Sequence, residues 1–92
     1  QQKETLLGAS FQMAPEELKE KLNLRVGVQV VDIGDGPLQA ADVKEGFIIV
    51  YINKQPIRQP IDIVRLLENY SGNIYMEGMY PDGTSMIYTF SI

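Results

Sequence analysis

The longest uninterrupted apolar run, Phe47-Ile48-Ile49-Val50-Tyr51-Ile52, constrains the fold more than any other feature of the chain. Six residues fall far short of the roughly 20 that a membrane-spanning helix needs, so the run reads as a buried strand. A second stretch, Val26 to Ile33, sets Val26, Val28 and Val30 on one face and Val31 and Ile33 on the other. Both faces are apolar, which predicts a central strand. The 92 residues, 45% hydrophobic and 22% charged, suit a single globular domain spanning 1–92. A chain this short buries only about 60–65% of its extended surface. It can hold one thin core with little apolar area left for an enclosed catalytic cavity, so any binding site is expected to be a surface groove.

Turn and cap chemistry places the remaining elements. Thr5 to Met13 is short-period and apolar, a first strand preceded by a Gly-containing turn. Pro15 suits a first helical position, with Glu16 and Glu17 in the first turn, Lys19 and Lys21 later, and Leu18 and Leu22 one turn apart; this predicts a short surface helix. Gly34-Asp35-Gly36-Pro37 is a turn, and Leu38-Gln39-Ala40-Ala41 fits one or two helical turns. After the buried strand come the tight turn Asn53-Lys54-Gln55, the extended Pro56-Ile57 and an amphipathic helix from Pro60 to Tyr70, closed by Ser71-Gly72. The chain ends in a hairpin: Asn73 to Tyr80, the turn Pro81-Asp82-Gly83, then Thr84 to Ile92. The class is α+β, with five to six strands and two to three short helices.

Several functions are disfavoured by what the chain contains. A formal charge of −4 and eight scattered basic residues argue against a nucleic-acid surface, which needs clustered Lys and Arg. No segment is suited to membrane insertion. With no His and no Cys, neither a Ser-His-Asp nor a Cys-His arrangement can form, and Ser10, Ser71, Ser85 and Ser91 lack a nucleophile-type context. Asp32-Ile33-Gly34-Asp35-Gly36 faintly resembles a calcium loop, but Gly34 and Gly36 fall on ligand positions and Val43 stands where the bidentate acid belongs. The same glycines fail as a dinucleotide fingerprint because Gln39 replaces the third. No cofactor and no metal are expected.

Three segments carry a family resemblance: Pro37 through Ile49 (Pro-Leu-Gln-Ala-Ala-Asp-Val-Lys-Glu-Gly-Phe-Ile-Ile), Ile52-Asn53-Lys54-Gln55-Pro56-Ile57, and Asp62 through Leu67 with Ser71-Gly72. Together they resemble a bacterial PDZ domain. The order of elements matches the circularly permuted form, in which the carboxylate-binding loop and groove strand come first and a hairpin last. The chain looks most like the second, C-terminal PDZ domain of an HtrA/Deg-type periplasmic serine protease, a small, partly open β-barrel or sandwich capped by short helices. Gln1 opens in mid-pattern, as a piece excised from a longer protein does. The family usually has Gly where Asp42 and Lys54 stand, Asp where Phe47 stands, and a larger apolar residue where Ala9 stands.

The resemblance implies a carboxylate-binding loop at Leu6, Leu7, Gly8 and Ala9, with backbone N–H groups converging on a peptide's terminal carboxylate. The peptide would add as a strand beside Ala9, Ser10 and Phe11. Pro60, Val64 and Leu67, at i, i+4 and i+7, would form the opposite wall. Each element also has a structural reading: the loop as an ordinary turn whose leucines fill the core, and Val64 and Leu67 as core residues in a helix that also holds Ile61, Ile63 and Leu66. The expected partners are peptide C-termini or unfolded segments, and other domains or protomers of the parent protease. An alternative is an interdomain or oligomer-assembly module with a closed groove. Ala9 motivates it, as do the apolar Met86, Tyr88, Phe90 and Ile92 of the last strand, with Tyr75 and Tyr80 opposite.

Overall fold

The computed structural model describes residues 4–6, 8–67 and 70–92, with side chains for 8–67 and 70–92. In order the elements are β1 (Glu4–Leu6), β2 (Ala9–Met13), α1 (Glu16–Lys21), β3 (Val28–Ile33), α2 (Pro37–Ala40), β4 (Ile48–Ile52), β5 (Gln55–Pro56), α3 (Pro60–Leu67), β6 (Asn73–Met79) and β7 (Ser85–Ser91). One antiparallel sheet runs β1-β2-β3-β4-β6-β7, with β5 paired to β4 off that path. The expected α+β class holds.

The apolar stretches form the centre of the sheet. In β3, Val28 and Val30 are fully buried while Val31 and Ile33 are half-buried, so one face meets the main core and the other is only partly covered. In β4, Ile48, Ile49 and Ile52 are buried and Tyr51 faces out. Phe47, just ahead of β4, has no exposed surface. Its ring centroid lies 4.9 Å from that of Tyr80 and 5.1 Å from that of Tyr88, the latter edge-on. The two tyrosine hydroxyls share a 2.6 Å hydrogen bond. Burial first, and that bond second, hold the Tyr88 phenol well above its ordinary pKa.

Five local expectations are corrected. Thr5–Met13 holds parts of two strands, β1 and β2, on either side of Gly8, where the sequence predicts a single strand after a glycine turn. The second expected strand starts at Val28 rather than Val26, and Pro15 caps α1 from outside instead of opening it. α3 is described over Pro60–Leu67, and Tyr70, expected as the last helical residue, lies outside the helix with its N–H donating to the Leu67 carbonyl at 3.2 Å. Tyr70 then turns its hydroxyl to the Asn73 carbonyl at 2.6 Å. Lys19, expected on a surface helix, is buried; its stem packs inward and its Nζ meets Glu16 at 3.1 Å.

The C-terminal hairpin forms where turn chemistry places it. Gly83 has φ +96°, and Tyr80 and Thr84 close the loop through an N–H to carbonyl bond of 2.8 Å. Beyond the strand ends, reciprocal 3.0 Å bonds between Gly72 and Ile92 extend the ladder.

Two positions where the resembled family usually has glycine carry a left-handed backbone here: Asp42 at φ +70° and Lys54 at φ +70°. Asn53 and Lys54 form the β4–β5 turn, with Ile52 paired to Gln55. A side chain in this conformation costs about 1 kcal/mol or more relative to glycine. The Lys54 ammonium recovers little of it, since its partner Glu77 is 3.7 Å away and the lysine is mostly solvated. Lys54→Gly is therefore expected to stabilise the domain by about 0.5–1 kcal/mol, read as a higher denaturant midpoint at unchanged slope. A destabilised variant would show that the ion pair and the Lys54 contact with the Tyr75 ring, 4.8 Å to its centroid, outweigh the strain.

Candidate functional site

The site is built where the chain begins, at the joint between β1 and β2. Gly8 has φ +77°, and a Cβ there would run into the Asp35 carbonyl. The Gly34 N–H donates to the Gly8 carbonyl at 2.7 Å. Gly8 is thus clamped to the Gly34-Asp35-Gly36 turn in a conformation and a space that exclude any side chain. From this anchor β2 runs antiparallel to β3, with Ala9 opposite Ile33 and Met13 opposite Val28, and a register shift between Ser10 and Phe11.

The nine residues assigned to the groove from sequence fall into distinct environments. Ala9 and Phe11 are buried in the core at 2% and 0% exposure, and Ser10 is half-buried on the opposite side of β2. Leu6 pairs with Ala9 as the last residue of β1. Leu7 lies outside the described residues.

On α3 the buried stripe is Pro60, Ile63 and Leu67, while Val64 is half-buried at its margin. Ile63, not Val64, completes the buried stripe, and Val64, the groove-wall candidate, is partly exposed beside it. The difference follows from helix geometry: positions 60, 63 and 67 form a stripe as well as 60, 64 and 67 do, and only the neighbouring sheet decides between them. Asp62 caps the start of α3, its Oδ2 accepting from the Arg58 and Gln59 N–H groups at 2.9 and 3.1 Å.

α3 packs against both β1 and β2. β1 lies on the edge of β2 that faces away from β3, with Glu4 opposite Phe11, Thr5 opposite Ser10 and Leu6 opposite Ala9. Sequence reasoning missed this strand. The available signal was a glycine between two apolar residues within a short-period stretch, which fits a hairpin joint as well as a loop before a strand.

No protein-family model and no curated protein sequence matches the chain. Among solved structures it is similar to the crystal structure of the HtrA3 PDZ domain bound to a phage-derived ligand (FGRWV), with a TM-score of 0.78 and 15% identity. That likeness covers 98% of this chain and 86% of the other. The chain has the PDZ fold. In PDZ domains an extended peptide adds as a strand to an exposed sheet edge, main-chain hydrogen bonds supplying affinity and side-chain pockets supplying specificity. β2, which starts directly after Gly8, and α3 pack against one another, with β1 against both.

Proposed function

We propose that this chain is a non-catalytic peptide-binding PDZ module that takes an apolar peptide C-terminus as a strand on β2, with α3 as the opposite wall. The PDZ fold across 98% of the chain is the observation that carries this reading. The similar HtrA3 domain is described as bound to a ligand ending in valine, the residue type an apolar pocket selects. The clamped Gly8 supports it further, holding the start of β2 where a carboxylate-binding loop belongs. In this reading the module is of the circularly permuted bacterial type and regulates an HtrA/Deg-type serine protease in the periplasm, engaging exposed C-termini or unfolded segments.

The test is an amide-resolved NMR titration of the whole chain with pentapeptides ending in free Val, Leu or Phe. Saturable shifts are expected along Ala9–Met13 and α3, and Val64→Asp is expected to weaken binding at least about tenfold, the effect of a desolvated charge at the groove wall. Unchanged affinity in a folded Val64→Asp variant would overturn the groove assignment.

A second reading, assembly with another domain or protomer, is favoured by one observation. Tyr51, Met86 and Ile87 are exposed at 42%, 36% and 53%, and with Leu24, Val50 and Met79 they line a shallow cleft of about 270 Å³. Silence at β2 and α3 in the titration, together with self-association at rising concentration, would favour it.

A further inference from the structure

We propose that β1 is a built-in ligand: Glu4–Leu6 occupies the strand position on β2 that an incoming peptide takes, so that peptide binds only as β1 leaves. The inference rests on the peptide-binding reading above and adds its regulation. Three observations carry it. β1 pairs antiparallel to β2 on the edge opposite β3, the edge at which strand addition must occur. It also packs against α3, the opposite wall of the groove, so it touches both elements that a bound peptide would meet. Finally, Gly8 is held independently by its Gly34 hydrogen bond and by contact with the Asp35 carbonyl. β1 can therefore peel away while the start of β2 stays in place.

The ladder is short, three residue pairs against the four or five that a pentapeptide can form. A strand of this length on a sheet edge opens far below the free energy of global unfolding. Peptide affinity is then reduced by the fraction of molecules in which β1 is displaced. Anything that holds the N-terminal segment elsewhere, such as tension on the chain preceding Glu4 or its docking to another surface, would switch the groove on.

The absence of cysteine from the 92-residue chain allows a direct test without removing any native thiol. Only two positions separate Leu6 from Ala9, so that pair is of the hydrogen-bonded kind and Thr5–Ser10 is its non-hydrogen-bonded neighbour, with Cα atoms about 4.5 Å apart. That separation is suited to a disulfide. In Thr5→Cys/Ser10→Cys the oxidised protein is expected to lose pentapeptide binding and the reduced protein to regain it. A second variant, Glu4→Pro, removes an N–H that the Glu4–Phe11 pair needs. It is expected to bind the same pentapeptides about tenfold more tightly than the unsubstituted chain, with unchanged spectra for β3, β4 and β6. Equal binding by the oxidised and reduced forms, with shifts at β2, would overturn the gate and leave the peptide-binding reading standing. No binding by any form, Glu4→Pro included, would overturn both.

Discussion

Phe47→Ala is expected to destabilise the domain by about 3–5 kcal/mol. A chain of this size has a total stability on the order of 5–14 kcal/mol, so the variant should sit near its unfolding threshold. The expectation comes from what surrounds the ring. Phe47 is wholly buried and meets two tyrosine rings at 4.9 and 5.1 Å; their hydroxyls are joined by a 2.6 Å hydrogen bond. Truncation removes the apolar surface and leaves a cavity that these rings, held by that bond and by the Lys44 N–H to Tyr80 hydroxyl bond of 3.0 Å, are poorly placed to fill. Phe47→Asp should be worse still, because the carboxylate would be buried among apolar groups, although aspartate is usual at this position in the resembled family. Equilibrium denaturant unfolding measures both. A loss below about 1 kcal/mol for Phe47→Ala would mean that the aromatic cluster rearranges freely.

Gly78→Ala is the second large effect, at about 3 kcal/mol, the upper range for forced overpacking. A Cβ on Gly78 would overlap the Ile48 carbonyl and lie 2.7 Å from the Phe47 Cζ. Gly78 pairs with Ile49 beside the register shift of β4, so the approach is backbone to backbone and cannot be relieved by a side-chain rotation. This gives the prediction a specific form. If the ring tip were the obstacle, Phe47→Ala would rescue Gly78→Ala. Because the Ile48 carbonyl is the nearer obstacle, the double variant should be less stable than Phe47→Ala alone by most of the Gly78→Ala cost. A Gly78→Ala domain that retains wild-type stability would show that the β4–β6 ladder shifts at little cost. The two positions together account for the burial of Phe47: the ring fits at the start of β4 because Gly78 has no side chain there.

The sequence by itself determined what depends on neighbours along the chain. Alternation and uninterrupted apolar runs marked β3 and β4 as buried strands, since the two-residue period of a strand shows directly which faces are apolar. Pro81-Asp82-Gly83 announced the final hairpin, and Gly34 to Pro37 the turn ahead of a short helix, α2, which the structure begins one residue earlier than Leu38, at Pro37, because turns demand particular φ values that few residues supply. The order of these elements, with the segments from Pro37 to Ile57, was enough to point to the PDZ fold and to locate the candidate groove between β2 and a helix beginning at Pro60.

Tertiary structure decided whatever required a choice among faces or edges that local pattern leaves equivalent. Ile63 rather than Val64 turns inward on α3 because the sheet selects one of two stripes that the helical period permits equally. Phe47 is buried against Gly78, 31 residues away in sequence, a long-range fit with no local signature. The position of β1 is the clearest case. A segment of three residues carries too little periodicity to announce a strand, and its pairing depends on a free edge of β2 that exists only once β2 lies against β3. In the folded sheet β1 takes the edge of β2 that faces away from β3.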